Sequence, residues 1–363
     1  ELGVDGFRLD TVNYYFHSQT LRDNPPRSRR GVKAPDPELV NPYDWQRHVY
    51  DQTQPENLEF LKRLRALLDQ FPNTTTVGEV GADNALEVIA QYTADGDKLH
   101  MAYSFDLLYE PHSAEFLHQV FGKFGRIVKD GWPSWAISNH DCPRIRTRWG
   151  GQQGGEALAR LAAVMQMTLR GSPCIYQGDE LGLPEVPDIP EGRLQDPIAF
   201  RMRGKEKGRD GCRVPLPWTA TGDSFGFGPD GGAEPHLPQP VGWGAHAVAV
   251  QEADPDSTLS LYRDGLRLRR RVWGAANGEP LEWVRRDERV LAFARGGVQC
   301  WTSFDADVPL PDGDVLLASV PLGCVESDGD GGNLERAVNV LPADATAWIR
   351  PAAPRSLPRP DRS

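Results

Sequence analysis

Nowhere in its 363 residues does the chain hold an apolar run long enough to span a membrane. Basic charge is also short: 40 Lys and Arg face 51 Asp and Glu, for a net charge of −11. That balance argues against nucleic acid or an anionic membrane surface as the main partner and leaves neutral substrates open. Cysteine is scarce. The five residues (Cys142, Cys174, Cys212, Cys300 and Cys324) are scattered and lack metal-ligand spacing. Read as free thiols, they fit a reducing, cytoplasmic compartment. There is no internal repeat. No Gly-rich phosphate loop follows an early strand, which disfavours a nucleotide-binding α/β fold.

What is present is an alternation. Short apolar runs at Gly6–Asp10, Thr75–Val80, Ala102–Leu107, Trp135–Ser138 and Pro173–Tyr176 read as buried strands. Between them lie helical patterns. In Pro55–Phe71, Leu58, Leu61, Leu64, Leu67, Leu68 and Phe71 recur every three or four residues, and Ala85–Tyr92 and Glu156–Leu169 behave alike. Strands alternating with helices imply a parallel sheet, hence an α/β class. Two long Gly- and Pro-rich segments interrupt the pattern. Asn24–Asp44 should wrap a surface, and Gln177–Gly244 should be functional or disordered. After a helix at Ser257–Arg271, short strands such as Arg289–Ala294 and Val298–Phe304 suit a small antiparallel β-domain. The tail after Pro351 reads as disordered.

Three carboxylates close strand-like runs: Asp10 after Val-Asp-Gly-Phe-Arg-Leu, Glu79 after Thr-Thr-Thr-Val-Gly, and Asp141 after Ile-Ser-Asn-His. In parallel α/β architectures, reactive side chains gather at the carboxyl ends of strands. Taken singly, such an Asp is more often a helix cap or a turn former. Three together weigh against that. Paired carboxyls are the usual apparatus of glycosidic-bond cleavage. Arg8, two residues before Asp10, shares its side of the strand and, if buried, should hold it anionic. A structural ion pair is the plainer alternative. His140, beside Asp141, can donate to a sugar hydroxyl or serve as a core histidine. Gly78 permits close approach before Glu79, which as a general acid needs a pKa raised by burial and nearby negative charge. The ten Trp, nine Tyr and thirteen Phe supply core packing first and sugar-stacking surfaces second.

Gly-Phe-Arg-Leu-Asp, Val-Gly-Glu and Asn-His-Asp resemble three sequence blocks of glycoside hydrolase family 13, the α-amylase family. Arg170–Leu183, Asn139–Arg144, Arg209–Trp218 and Gly6–Pro26 are similar to its α-glucosidase and oligo-1,6-glucosidase branch. The resemblance implies Asp10 as nucleophile, Glu79 as acid/base, and Asp141 on the 2- and 3-hydroxyls of the glucose. Arg8 and His140 would complete that subsite. Arg213 matches an Ala-Arg-Thr-Pro block, with Cys212 and Val214 replacing Ala and Thr. Thr11 leans towards α-1,4 linkages. The implied activity is retaining hydrolysis of terminal α-linked glucose from maltose-type substrates, with the Asp10 and Glu79 carboxyls roughly 5–5.5 Å apart.

By the same resemblance, the family's earlier Asn-His block, its B domain and its first three barrel strands have no counterpart in this sequence. The expected architecture is an incomplete (β/α)8 TIM barrel, strands 4–8, over residues 1–275. A C-terminal β-sandwich over 276–352 and a disordered tail over 353–363 follow. Such a fragment is expected to be inactive alone. No cofactor is required, and any structural calcium would belong to the N-terminal loops of the family. A transglycosylase of the trehalose synthase or sucrose isomerase type would show the same residues. A non-catalytic, transporter-associated relative is the alternative from another class, but that type needs a membrane span and usually loses catalytic carboxylates, and all three are present here.

Overall fold

The computed structural model describes residues 3–27, 42–109, 112–151, 154–202, 207–274, 278–327 and 336–352. Most of the expected Asn24–Asp44 wrap and all of the 353–363 tail lie outside them.

Five short strands come first: β1 (Gly6–Leu9), β2 (Thr75–Val80), β3 (Met101–Ser104), β4 (Ser134–Ala136) and β5 (Ser172–Cys174). β1, β2 and β3 are parallel neighbours, as are β4 and β5, and a parallel bridge from Ala102 to Pro133 links the two groups. All five expected strands are present, most of them shorter than the apolar runs suggested. The run predicted to end at Leu107 instead turns at Phe105 into a helix, because Ser104 and Asp106 pair through their side chains there. β1 is not buried: Phe7 is 49% exposed on this outer strand.

Helices α1 (Glu56–Leu68), α2 (Ala85–Thr93), α3 (Asp106–Tyr109), α4 (Ala114–Ile127), α5 (Ile145–Gly150) and α6 (Glu156–Thr168) fill the intervals. In α1, Leu61 and Leu68 are buried, but Leu67 and Phe71 face outward, so the apolar stripe is narrower than the spacing predicts. α4 buries Leu117, Val120, Phe121 and Phe124 and is capped by the Ser113 hydroxyl on Phe116 N. Gly122 and Gly125 dilute its pattern, which is why it does not stand out in the sequence. α6 is buried almost all round, as a helix packed on both sides must be.

The long segment after β5 is ordered where described. It contains α7 (Pro197–Arg201) and α8 (Val248–Glu252) and builds its own small core from Leu181, Leu183, Ile189, Val214, Leu237 and Trp243. α9 then runs from Thr258 to Trp273.

The remaining strands are antiparallel. They are β6 (Glu282–Arg286), β7 (Val290–Arg295), β8 (Val298–Ser303), β9 (Val308–Pro309), β10 (Gly313–Ala318), β11 (Gly323–Ser327), β12 (Arg336–Leu341) and β13 (Ala345–Pro351). One sheet has the order β10-β13-β8-β7-β6 and the other β11-β12-β9. Alternation along β7 decides the packing. Leu291 and Phe293 join the core containing α6, whereas Val290 and Ala292 pack with Val308 and Leu341 towards the smaller sheet. Trp348 Nε1 donates to Val164 O at 3.1 Å and Arg295 Nη1 to Thr168 O at 2.7 Å, tying the sheet to α6.

Among the described residues, no helix is long and apolar enough to cross a membrane, and no group of three or more His, Cys, Asp or Glu could hold a metal ion. All five cysteines are free.

Candidate active site

Strand register assembles the site. Leu9 pairs with Gly78, so the next step sets Asp10 beside Glu79, and Glu79 pairs with Tyr103 on β3. Beyond Asp10 the chain turns sharply. Thr11 adopts φ 42° and ψ 46°, a left-handed conformation that strains a β-branched residue by about 1–3 kcal/mol. The turn persists because the next two residues are fully buried and fastened. Asn57 Nδ2 donates to Val12 O at 2.8 Å, and Asn13 Nδ2 donates to Gln52 Oε1 at 2.6 Å and Gly81 O at 2.9 Å. Burying Val12 and Asn13 leaves Asp10 and Thr11 facing out of the fold.

Arg8 joins the first two carboxyls. Its Nη1 donates to Asp10 Oδ1 at 2.7 Å, and its Nη2 donates to Glu79 Oε2 and, at 3.1 Å, to Tyr103 OH. The guanidinium is 36% exposed rather than buried as expected, because β1 is an outer strand. It still faces Asp10 as the two-residue spacing requires. One guanidinium thus joins both carboxyls.

Their environments differ. The hydrogen bond from Arg8 holds Asp10 below the ordinary carboxylate range. Glu79 is 2% exposed, and burial pushes it up to about 7 against the pull of Arg8, helped by the hydrogen bond and charge of Asp10 and by Asp141. Gly78 makes this burial possible. A Cβ there would lie 2.6 Å from Leu99 Cδ1 and 3.0 Å from Val12 Cγ1. Two carboxyls with proton affinities displaced in opposite directions suit an anion and a proton donor.

Asp141 takes two arginines on one oxygen. Arg209 Nη1 and Arg213 Nη2 each donate to Oδ1 at 2.8 Å, and Arg213 Nε donates to His140 O at 2.7 Å. His140 Nε2 lies 3.5 Å from Asp141 Oδ2, and its own burial keeps the imidazole below its usual pKa, hence neutral at pH 7. Arg209 is aimed by Asp196, which receives its Nε at 2.6 Å while capping α7 at Ile198 N. Neither Arg209, Tyr103 nor Asp196 stood out in the sequence. The four-residue spacing of Arg209 from Arg213 and the register of Tyr103 with Glu79 were the available signals.

A cleft of about 700 Å³ opens beside Glu79 and Thr11, lined also by Tyr14, Tyr43, His48, Phe105 and Tyr109. Tyr43 stacks on His48 with centroids 3.8 Å apart. Asp10 and Asp141 lie outside its lining.

The family model described as alpha amylase, catalytic domain, matches residues 1–275. The chain belongs to the alpha-amylase family. With that membership come a TIM-barrel fold and a following antiparallel β-sheet. Within the alpha-amylase family, a probable alpha-glucosidase of Rhizobium meliloti (strain 1021) is 45% identical over 304 residues, covering 81% of this chain and 53% of that protein. An oligo-1,6-glucosidase of Parageobacillus thermoglucosidasius is 27% identical, over 74% of this chain and 50% of its own length. The chain thus spans about half the length of these curated relatives. The crystal structure of the alpha-glucosyl transfer enzyme XgtA superposes with a TM-score of 0.80 at 39% identity, over 96% of this chain and 64% of that one. Isomaltulose synthase from Klebsiella sp. shares the fold, with a TM-score of 0.72 at 19% identity over 96% and 65% of the two chains.

Proposed function

We propose that this chain carries the reacting groups of a retaining α-glucosidase acting on maltose-type disaccharides and short malto-oligosaccharides. The observation that supports it best is the pair of carboxyls bridged by Arg8, with Asp10 held below the ordinary carboxylate range and Glu79 raised to about 7.

In this reading, Asp10 attacks the anomeric carbon while the glycosidic C–O bond breaks and Glu79 gives its proton to the leaving oxygen. The resulting ester is a covalent glucosyl-enzyme. Glu79, now a carboxylate, takes a proton from water as that water attacks the same carbon and releases Asp10. Asp141, held by Arg209 and Arg213, accepts from the 2- and 3-hydroxyls, with His140 and Arg8 beside it. Thr11 borders the cleft and bears on linkage preference, with a lean to α-1,4. No cofactor takes part in these steps.

β1 is an outer strand of the parallel set and leaves Phe7 half exposed. We read the five parallel strands as strands 4–8 of the (β/α)8 barrel over residues 1–275, with 276–352 as the C-terminal β-domain, and expect activity only when the barrel is closed. Any structural calcium would sit with the strands that close it. Free thiols fit a cytoplasmic protein.

The test is expression of the full-length reading frame and of its Asp10→Asn variant, assayed on p-nitrophenyl α-glucoside. The variant should lose roughly a thousandfold in kcat/KM or more. Comparable activity in the variant overturns the nucleophile assignment, and an inert wild type overturns the hydrolase reading. A second reading, glucosyl transfer to a sugar or other hydroxyl, is favoured by the likeness to the alpha-glucosyl transfer enzyme. Transfer products from maltose or sucrose would distinguish it. Retention of all three carboxylates disfavours a non-catalytic transporter partner.

A further inference from the structure

A cavity of about 470 Å³ opens between α4 and the segment leading into β6, and none of its lining residues belongs to the carboxyl cluster. Phe121, Phe124, Trp135, Leu169, Leu281 and Trp283 form its apolar wall. The rings brace one another, with Trp135 centroids 4.9 Å from Phe124 and 5.6 Å from Phe121 at steep angles. The space exists because α4 presents Gly122 and Gly125 here. A Cβ at Gly125 would meet no heavy atom within 4 Å, so a larger side chain would project into open space. Glycine is unfavourable inside a helix relative to almost any replacement, and here nothing in the packing requires it at position 125.

The charge at this cavity reverses that of the chain. Arg126, Lys129 and Arg170 line it and, among the described residues, no acidic one does, on a protein of net charge −11. Arg170 reaches in from the end of α6. Its terminal nitrogens donate to Val128 O at 3.2 Å, Lys129 O at 3.1 Å and Gly131 O at 2.9 Å, while its Nε is buried without a hydrogen-bond partner among the described residues. The guanidinium is therefore held by carbonyls rather than by a carboxylate in contact. Asp130 bears on it electrostatically, but that carboxylate accepts from Asp95 N. Three cations around an aromatic wall lack the one component that would complement both.

We propose that this cavity binds a small arylalkyl carboxylate, its ring among Phe121, Trp135 and Trp283 and its carboxylate towards Arg126 and Lys129, with the charge of Arg170 behind them. The volume falls in the range of small-molecule sites, and the pattern of apolar wall with a few convergent charges is what such sites share. A charge-assisted contact of this kind favours the anion over its neutral isostere by about tenfold or more.

The test is calorimetric titration of the full chain with 4-phenylbutyrate, alongside 4-phenylbutan-1-ol as the neutral isostere and tryptophan fluorescence as a second readout. The carboxylate should bind about tenfold tighter than the alcohol, and added salt should narrow the difference. Gly125→Leu should abolish binding while leaving the melting temperature unchanged or higher, since leucine favours the helix and fills the space. The double substitution Arg126→Gln and Lys129→Gln should weaken the carboxylate about tenfold and leave the alcohol unaffected. Equal binding of acid and alcohol, retained binding in Gly125→Leu, or no heat at millimolar ligand each overturns the proposal. So does a fluorescence change that follows protein concentration and not ligand, which would mark the cavity as a self-association face.

Discussion

Arg209 donates Nη1 to Asp141 at 2.8 Å and Nε to Asp196 at 2.6 Å, so one guanidinium joins a strand-end carboxyl to the cap of a short helix. A lysine cannot keep both contacts, because it lacks the planar fork. In the full-length protein, Arg209→Lys should therefore raise KM for an α-glucoside about tenfold, with a smaller change in kcat and little change in melting temperature. Steady-state kinetics alongside a thermal melt checks this. Loss of stability without a change in KM would make Arg209 structural only.

Glu79 and Asp10 set the pH response. The proposed reaction needs Glu79 protonated and Asp10 ionised, so in the full-length protein kcat/KM should fall above about pH 7 and stay high down into the acidic range. Stability should move in the same direction. An unfolded glutamate ionises above its ordinary value of 4.5, whereas folded Glu79 keeps its proton to about 7. Between those values the native state binds more protons, and stability declines with rising pH by up to about 3 kcal/mol. Glu79→Gln should flatten that part of a urea-unfolding pH series. A slope equal to wild type would refute the raised pKa.

Arg144 is 1% exposed and holds two loops, donating to Gln177 O at 3.0 Å and Cys212 O at 2.9 Å. It lies 3.9 Å from Asp179, whose burial raises it to about 7. Arg144→Met strands the Gln177 carbonyl and the Asp179 carboxyl, while Tyr176 OH still donates to Cys212 O at 2.9 Å, for an expected loss of about 3–5 kcal/mol. Adding Asp179→Asn should return part of it. Urea midpoints of the three variants decide, and additive losses would show that the two residues do not communicate.

Thr11 occupies a left-handed conformation that asparagine tolerates better. Thr11→Asn should therefore stabilise the protein by about 1 kcal/mol, read as a higher melting temperature. A lower melting temperature would mean that the threonine side chain makes a contact that outweighs the strain.

Much of the fold was legible because periodicity is local. Leu58, Leu61 and Leu68 mark α1 by spacing alone, and Val290–Arg295 alternates as a strand should. The outward turn of Leu67 and Phe71 was not legible, since the width of a buried stripe depends on what packs against it. α4 was not legible because Gly122 and Gly125 dilute its apolar pattern. The small core within the described part of 177–244 lay hidden because Leu181, Val214 and Trp243 are far apart in the chain and meet only in three dimensions.

The site divides the same way. Asp10, Glu79 and Asp141 were visible as carboxylates at strand ends, because residue type and strand pattern are properties of the chain itself. The arginines that hold Asp141 and the tyrosine behind Arg8 became partners only through register and loop path. The sequence alone determined which side chains could react. Only the tertiary structure decided which carboxyl keeps its proton. Proton affinity is fixed by dielectric surroundings and through-space neighbours, and burial separates Glu79 from Asp10 where composition cannot.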